Sequence, residues 1–207
     1  MGAKIWVLVA SSSSPAEHLR RIPSPDREAS AALATRLFPK RRLVPLPDGD
    51  LSQTCPRSGE IVVGRFGDLS IVAAEEFGMD HLSRLPRELL EAFPGQQVRL
   101  VCMHSIVDWC AFAVWEDGRL IRSLSLSPDS GIIENIGTPL PFEKPFWETT
   151  DPEASESDEF PFHPLELGDA ALLDALGFQI EGDQGLYDPF EISLLRFGLA
   201  KPWWRFW

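Results

Sequence analysis

Hydrophobic and polar positions alternate most regularly in residues 108–127, where two strand-like runs flank Asp117-Gly118. Asp-Gly is typical of a two-residue turn whose positive φ angles match the twist of paired strands. The turn therefore predicts a β-hairpin in which Glu116 faces Arg119. The same register predicts the pairs Trp115/Leu120, Val114/Ile121, Phe112/Ser123, Ala111/Leu124, Cys110/Ser125, Trp109/Leu126 and Asp108/Ser127.

One face of this predicted hairpin is aromatic and aliphatic, whereas the other becomes polar toward its open end. Polar side chains that gather at one end of a sheet favour contact with a ligand or a partner. We therefore interpret the polar end as the best candidate site. Its ligand or partner residues are predicted to be Trp109, Arg122, Ser123, Ser125 and Ser127.

The remaining pattern mixes strands and helices. Residues 3–10 form a continuous apolar run, which predicts a central strand buried on both faces. Ser14 and Glu17 have the spacing of a capping box, with Pro15 at the first helical position. Further strands are predicted at residues 42–46, 60–65, 69–74 and 97–104, and further helices at 26–38, 85–93 and 169–176. Residues 128–164 are proline-rich and predict neither element.

Strands outnumber helices in this order, and hairpins dominate after residue 60. The pattern favours an α+β fold, in which helices pack against a largely antiparallel sheet with a central Asp-Gly hairpin. A doubly wound α/β fold is the alternative. A helical connection follows the first strand and would permit that strand to pair in parallel.

The 207 residues, 44% of them hydrophobic, suffice for one well-filled core, so we expect a single domain over residues 1–207. Residues 148–160 carry an acidic cluster that predicts a mobile loop. Residues 200–207 form an aromatic C-terminal tail that includes Trp203 and Trp204. We expect this tail to dock on the protein's own sheet in preference to a second subunit or another partner.

The formal charge of −12 argues against a nucleic-acid partner, because affinity for phosphates rests on lysine and arginine. No apolar run is long enough to cross a membrane or to form the core of a secretion signal. Three cysteines without C-x-x-C spacing predict free thiols. Together these features predict a cytoplasmic protein that binds neither nucleic acid nor membrane.

Sequence motifs for nucleotides and metals are missing. No G-x-G-x-x-G and no phosphate-binding G-x-x-x-x-G-K-S/T follows the first strand. The four serines at residues 11–14 lie where an anion could bind, but helix capping by Ser14 explains them without a ligand. We expect no cofactor and no metal.

A cluster of titratable residues is the remaining candidate for chemistry. The predicted topology would gather His104, Asp108 and Asp129 at one sheet edge, near Ser127. His163 and Glu166 could join them. Such a group permits general base catalysis or a His/Asp metal site, although turn residues that cap backbone groups have the same composition.

Several segments resemble an uncharacterised, mainly actinobacterial family of unknown function. The segments are residues 1–4, 26–38, 103–109, 115–118, 122–131 and 162–168. The similarity spans most of the chain, and it implies no activity, cofactor or catalytic residue.

The leading hypothesis is therefore a cytoplasmic domain that binds an unknown protein or small molecule at the polar end of the hairpin, with no enzymatic role. The aromatic tail would permit homo-oligomers. The alternative is a hydrolytic or metal-assisted enzyme that uses the cluster near His104 and Asp108.

Overall fold

The computed structural model of the protein describes residues 4–148, 159–180 and 185–200. These residues form one antiparallel sheet with the strand order β2-β9-β3-β4-β1-β5-β6-β7-β8. The strands are β1 (Lys4–Ser11), β2 (Leu43–Asp50), β3 (Ile61–Phe66), β4 (Leu69–Ala74), β5 (Gln97–His104), β6 (Trp109–Glu116), β7 (Arg119–Ser127), β8 (Gly131–Gly137) and β9 (Ser193–Leu199). The α-helices are α1 (Pro15–Leu19), α2 (Arg27–Leu37), α3 (Arg87–Leu90), α4 (Lys144–Glu148) and α5 (Pro164–Leu176), and short 3₁₀ helices span Glu75–Phe77, Leu82–Arg84 and Pro189–Glu191.

Hydrophobic side chains cover both faces of the sheet. On one face, α1 and α5 contribute Leu19, Leu167 and Leu172 to a buried cluster. On the other face, α2 and the segment around Phe77 form a second cluster. Strands in the middle of the sheet are consequently buried on both sides, which explains continuous apolar runs such as residues 69–74, all six of which are buried.

The helices begin where the sequence supplies a capping side chain. Ser14 Oγ accepts a hydrogen bond from the Glu17 N–H at the start of α1, and Asp26 caps α2 in the same way. His163 caps α5, which begins at Pro164 and ends at Gly177 in a left-handed conformation (φ 86°). These caps let short helices form against the sheet, where burial supplies most of their stability.

The prediction of an α+β fold with a largely antiparallel sheet is confirmed. All pairings between the described strands are antiparallel, so the doubly wound alternative was wrong. β1 lies in the middle of the sheet, between β4 and β5. The helical connection after β1 does not lead to a parallel neighbour, because the chain crosses to the distant strand β2 and returns to β1 through the β3–β4 hairpin.

β6 and β7 are joined by Asp117 and Gly118, whose φ angles are 50° and 72°. Glu116 pairs with Arg119 next to this turn. A β-bulge beyond the following pair then inserts Ile121, and the pairing shifts by one residue. The predicted pairs from Val114/Ile121 to Asp108/Ser127 were therefore wrong. The pairs in the structure are Val114/Arg122, Ala113/Ser123, Phe112/Leu124, Ala111/Ser125 and Cys110/Leu126.

The prediction that residues 128–164 contain neither strand nor helix was wrong. This stretch contains β8 and α4, and its β8 portion pairs along most of β7. β2 extends to Asp50 despite Pro45 and Pro47, which a strand tolerates at the edge of a sheet. The predicted helix at 85–93 shrinks to α3, because Pro86 and the turn at Pro94-Gly95 leave room for little more than one turn.

Two predicted segments lie largely outside the described residues. Most of the acidic loop at 148–160 belongs to them, while its last residue, Phe160, is buried in the core on the α5 side of the sheet. The tail at 201–207, with Trp203 and Trp204, also lies outside. No helix in the described residues is long and apolar enough to cross a membrane.

Candidate functional site

A pocket of about 370 Å³ opens at the end of the sheet where β5 and β7 end and β1, β6 and β8 begin. Antiparallel pairing brings these termini together, since Lys4 lies beside His104 and His104 beside Trp109. The pocket is lined by Trp6, Gly78, Asp80, His104, Val107, Trp109, Ser127, Asp129, Ser130 and Ile133. Its volume is in the range of small-molecule sites.

Aromatic rings form one wall of the pocket. The ring centroid of Trp6 lies 5.9 Å from that of Trp109 and 6.1 Å from that of His104. Trp109 is held in place because its Nε1–H donates a 3.0 Å hydrogen bond to Ser125 Oγ. A Cβ on Gly78 would lie 2.9 Å from the Trp6 ring, so glycine allows the indole to pack against the backbone. The wall is therefore built before any ligand arrives.

Polar groups of the pocket are left with few protein partners. Asp80 and Asp129 are exposed, and neither carboxylate makes a hydrogen bond or ion pair with a described residue. The Nδ1 atom of His104 is buried and has no hydrogen-bond partner in the described chain. Buried polar atoms normally have partners, so an unpaired imidazole nitrogen at a pocket wall is consistent with a ligand contact.

The candidate catalytic residues separate into two groups. His104 and Asp129 line the pocket together with Ser127, as the sequence predicts. Asp108 Oδ1 instead lies 3.8 Å from His163 Nε2, and His163 Nδ1 accepts a hydrogen bond from the Leu165 N–H. Glu166 is exposed in the first turn of α5 and does not line the pocket.

Asp108 adopts a positive φ of 45° in the turn between β5 and β6. This conformation is uncommon for a residue with a side chain, although aspartate tolerates it better than most. Ile106 and Val107 in the same turn are 72% and 46% exposed, and Val107 lines the pocket. The turn thus combines a strained backbone with an exposed apolar rim.

Arg122 was predicted to contact a ligand, and the structure places it inside the protein. Its guanidinium is fully buried, and Nη2 donates a 2.6 Å hydrogen bond to Glu143, which is also fully buried. Nη1 donates to Asn135 Oδ1 and to the carbonyl of Ile136. The bulge at Ile121 turns Arg122 to this face, where it fastens β8 and the segment before α4 to the sheet.

Ser123 and Ser125 also face inward. Ser123 Oγ donates to a Glu134 carboxylate oxygen, and the Oγ and N–H of Ser83 donate to the same carboxylate at 2.6 and 3.0 Å. Burial raises the pKa of Glu134, but these hydrogen bonds and the nearby His81 outweigh it and hold the pKa below its ordinary value. Of the predicted ligand residues on the hairpin, only Trp109 and Ser127 line the pocket.

The serine-rich turn lines a second cavity, at the opposite end of β1 and β5. Arg99 is the positively charged residue in its lining, and its Nη1 atom is 2.9 Å from an Asp174 carboxylate oxygen. Ser13 Oγ donates a hydrogen bond to a carboxylate oxygen of Asp68. The helix that follows this turn, α1, is only five residues long. The arginine and three of the four serines of this cavity thus have hydrogen-bond or ion-pair partners in the protein, in contrast to the carboxylates of the first pocket.

The cysteines do not contribute to the pocket. Cys102 and Cys110 are buried free thiols, and burial raises the pKa of both. Cys55 is free and exposed. Among the described residues, no three His, Cys, Asp or Glu side chains converge in a way that would hold a metal ion.

Sequence reasoning missed Trp6 and Asp80 as pocket residues. Trp6 is in β1, whose apolar run predicts core or half-exposed packing for the indole, and the indole is partly buried. Asp80 lies in a loop between two 3₁₀ helices, about 25 residues from the nearest other polar lining residue in sequence. No local pattern connects it to the hairpin.

The fold defines the class of the protein as α+β, built on one antiparallel sheet with a pocket at one end of its strands. The chain belongs to the family of unknown function DUF6928, whose model matches residues 5–197. The resemblance to a family of unknown function is thereby confirmed. Searches of curated proteins and of solved structures found no match to the chain.

Proposed function

We propose that this protein is a binding protein whose ligand is a small molecule held in the pocket between Trp6, His104, Trp109 and Asp129. One observation carries the proposal. A preformed aromatic wall meets carboxylates and an imidazole nitrogen that have no hydrogen-bond partner among the described residues. Ligand pockets commonly combine apolar walls with a few polar groups that fix the ligand's orientation.

The proposal retains the end of the hairpin as the site but changes its residues. The ligand would contact Ser127 and Trp109, and would not reach the buried Arg122. Exposed Ile106 and Val107 extend the apolar surface at the rim and would contact a larger ligand. We place the protein in the cytoplasm, in keeping with its acidic composition and free cysteines.

A fragment screen by ligand-observed NMR on the full chain tests the proposal. We expect fragments with a planar or apolar part to bind the wild type. Ser130→Trp should remove this binding, because the new indole at the exposed pocket margin fills the space. Ser58→Trp, an exposed serine in a turn outside the pocket lining, is the matched control and should bind normally. Absence of hits, or hits that Ser130→Trp leaves unchanged, would contradict a ligand pocket.

A hydrolytic enzyme is the second candidate, favoured by the presence of His104 and Asp129 in one pocket. It is the weaker proposal, because Asp108, His163 and Glu166 are not among the described residues that line the pocket. Incubation of each bound fragment with the protein, followed by NMR, separates the two. New product signals that disappear in His104→Gln support catalysis, whereas unchanged fragment spectra support binding alone.

A further inference from the structure

Among the described residues that line the pocket, the Asp, Glu, Lys and Arg side chains are all acidic. They are Asp80 and Asp129, whereas Lys4, which pairs beside His104 at the start of β1, does not line the pocket. Neither carboxylate has a hydrogen-bond or ion-pair partner in the described chain. Two negative charges at one opening raise the local concentration of cations and would repel a carboxylate or phosphate ligand.

The indoles of Trp6 and Trp109 add a second attraction for positive charge. The face of an aromatic ring is electron-rich, and tryptophan attracts ammonium groups most strongly among the aromatic side chains. The two ring planes are tilted by 48° with centroids 5.9 Å apart, so the indoles present a bent surface to the pocket. Trp109 is kept in place by its bond to Ser125, so little side-chain entropy is lost when a ligand binds.

We infer that the ligand of this pocket is a small organic cation, an amine or quaternary ammonium compound. Its charged group would contact the Trp6 and Trp109 indoles and face the Asp80 and Asp129 carboxylates. A volume of about 370 Å³ suits a molecule of metabolite size. The inference rests on the proposed function and adds the chemical class of the ligand to it.

Choline and its neutral isostere 3,3-dimethylbutan-1-ol provide the test, because they share size and shape and differ in charge. The full chain, labelled with ¹⁵N, is titrated with each compound while the indole N–H signals are followed. Trp6→Phe and Trp109→Phe assign those two signals. We expect choline to shift both signals in a saturable manner, and the neutral isostere to bind about tenfold more weakly.

The double variant Asp80→Asn/Asp129→Asn should weaken choline binding several-fold and leave the isostere unaffected. Glu116→Gln/Asp117→Asn is the matched control, because it also removes two negative charges but at the opposite end of β6. It should bind choline like the wild type. Equal affinity for both compounds, or unchanged choline binding in Asp80→Asn/Asp129→Asn, would overturn the cation but leave a ligand pocket. If choline shifts neither indole signal, the inference of a cationic ligand is also overturned. If the fragment screen then gives no hits, the proposed ligand pocket is overturned as well.

Discussion

The two ends of β7 hold polar groups in opposite ways. Near the hairpin turn, Arg122 is fully buried, and Glu143, Asn135 and backbone carbonyls accept hydrogen bonds from its guanidinium. At the other end, Ser127 borders a pocket in which Asp80 and Asp129 have no partner in the described chain. One end of β7 thus carries a charged group that is paired inside the protein, and the other end borders carboxylates that have no partner among the described residues.

The difference shows which polar groups serve the fold. A buried charge is costly unless it is paired and hydrogen-bonded, so the guanidinium of Arg122 is tolerated only with Glu143 beside it. The pocket carboxylates remain in contact with water and impose no such requirement. Polar groups that stability does not need are available to a ligand, which is why we assign binding to the pocket and structure to the arginine.

The largest expected effect follows from breaking the buried pair. Glu143→Ala leaves Arg122 charged and unpaired, and we expect a loss of about 3–5 kcal/mol in the free energy of unfolding. Urea denaturation measures it. Arg122→Met/Glu143→Leu should lose less than Glu143→Ala, since no charge remains buried. Glu148→Ala, an exposed residue in α4, is the control and should change stability by no more than about 0.5 kcal/mol. A small loss in Glu143→Ala would show that Arg122 is solvated.

A second prediction concerns the bulge that turns Arg122 inward. Gly137 pairs with Arg122 at a φ of 84°, and a Cβ there would lie 2.0 Å from the Ile121 carbonyl oxygen. We expect Gly137→Ala to lower the free energy of unfolding, measured by thermal melting, by at least about 2 kcal/mol, because the new side chain strains the backbone and overlaps its neighbour. Gly118→Ala is the control, because Gly118 also has a positive φ but open space around it, and it should cost about 1 kcal/mol. Equal losses would mean that the contact with Ile121 is relieved without cost.

The Glu134 cluster on the opposite face of β7 should make stability depend on pH. The pKa of Glu134 is held below its ordinary value of 4.5 in the folded protein. Its contribution is therefore complete above the unfolded pKa and is lost as the pH falls through the folded pKa. We expect Glu134→Gln to cost about 1–2 kcal/mol at pH 7 and to reduce the loss of stability on acidification below pH 4.5. Urea midpoints that fall in parallel for both proteins would contradict this.

The smallest effect is expected in the pocket. Asp80→Asn and Asp129→Asn remove charges that have no hydrogen-bond partner among the described residues, so each should change the free energy of unfolding by less than about 0.5 kcal/mol. Thermal melting at neutral pH tests this. A loss of 1 kcal/mol or more would place these carboxylates with Glu143 as parts of the fold and would remove the contrast between the two ends of β7.

Much of the secondary structure followed from local chemistry. The helix cap at Ser14, the apolar run of β1, and the residues of β4 and β5 could be predicted because each depends on neighbours in sequence. β8 was missed, although Ile132, Ile133 and Ile136 lie between two glycines in a pattern that indicates a strand. The prolines near this segment led to the prediction of an irregular stretch instead of a strand.

The candidate site was predicted only in part. His104, Trp109, Ser127 and Asp129 share the pocket because antiparallel strands end together there, and the topology of the hairpin indicated as much. The bulge at Ile121 lies where Gly137 of β8 closely approaches the Ile121 carbonyl, a contact between segments that no turn motif contains. It displaced the register by one residue and turned Arg122 from the predicted surface into the core.

The sequence by itself determined the α+β class, the antiparallel hairpins and the acidic, motif-poor character of the chain, because periodicity, turn residues and charge are local or additive properties. Only the tertiary structure decided that Trp6 and Asp80 line the same pocket as Trp109, that Glu143 lies against Arg122, and that Asp108 lies near His163. These contacts join segments up to about 100 residues apart, and they arise from packing both faces of the sheet. A binding pocket is made of such contacts, so its residues emerge only when the chain is folded.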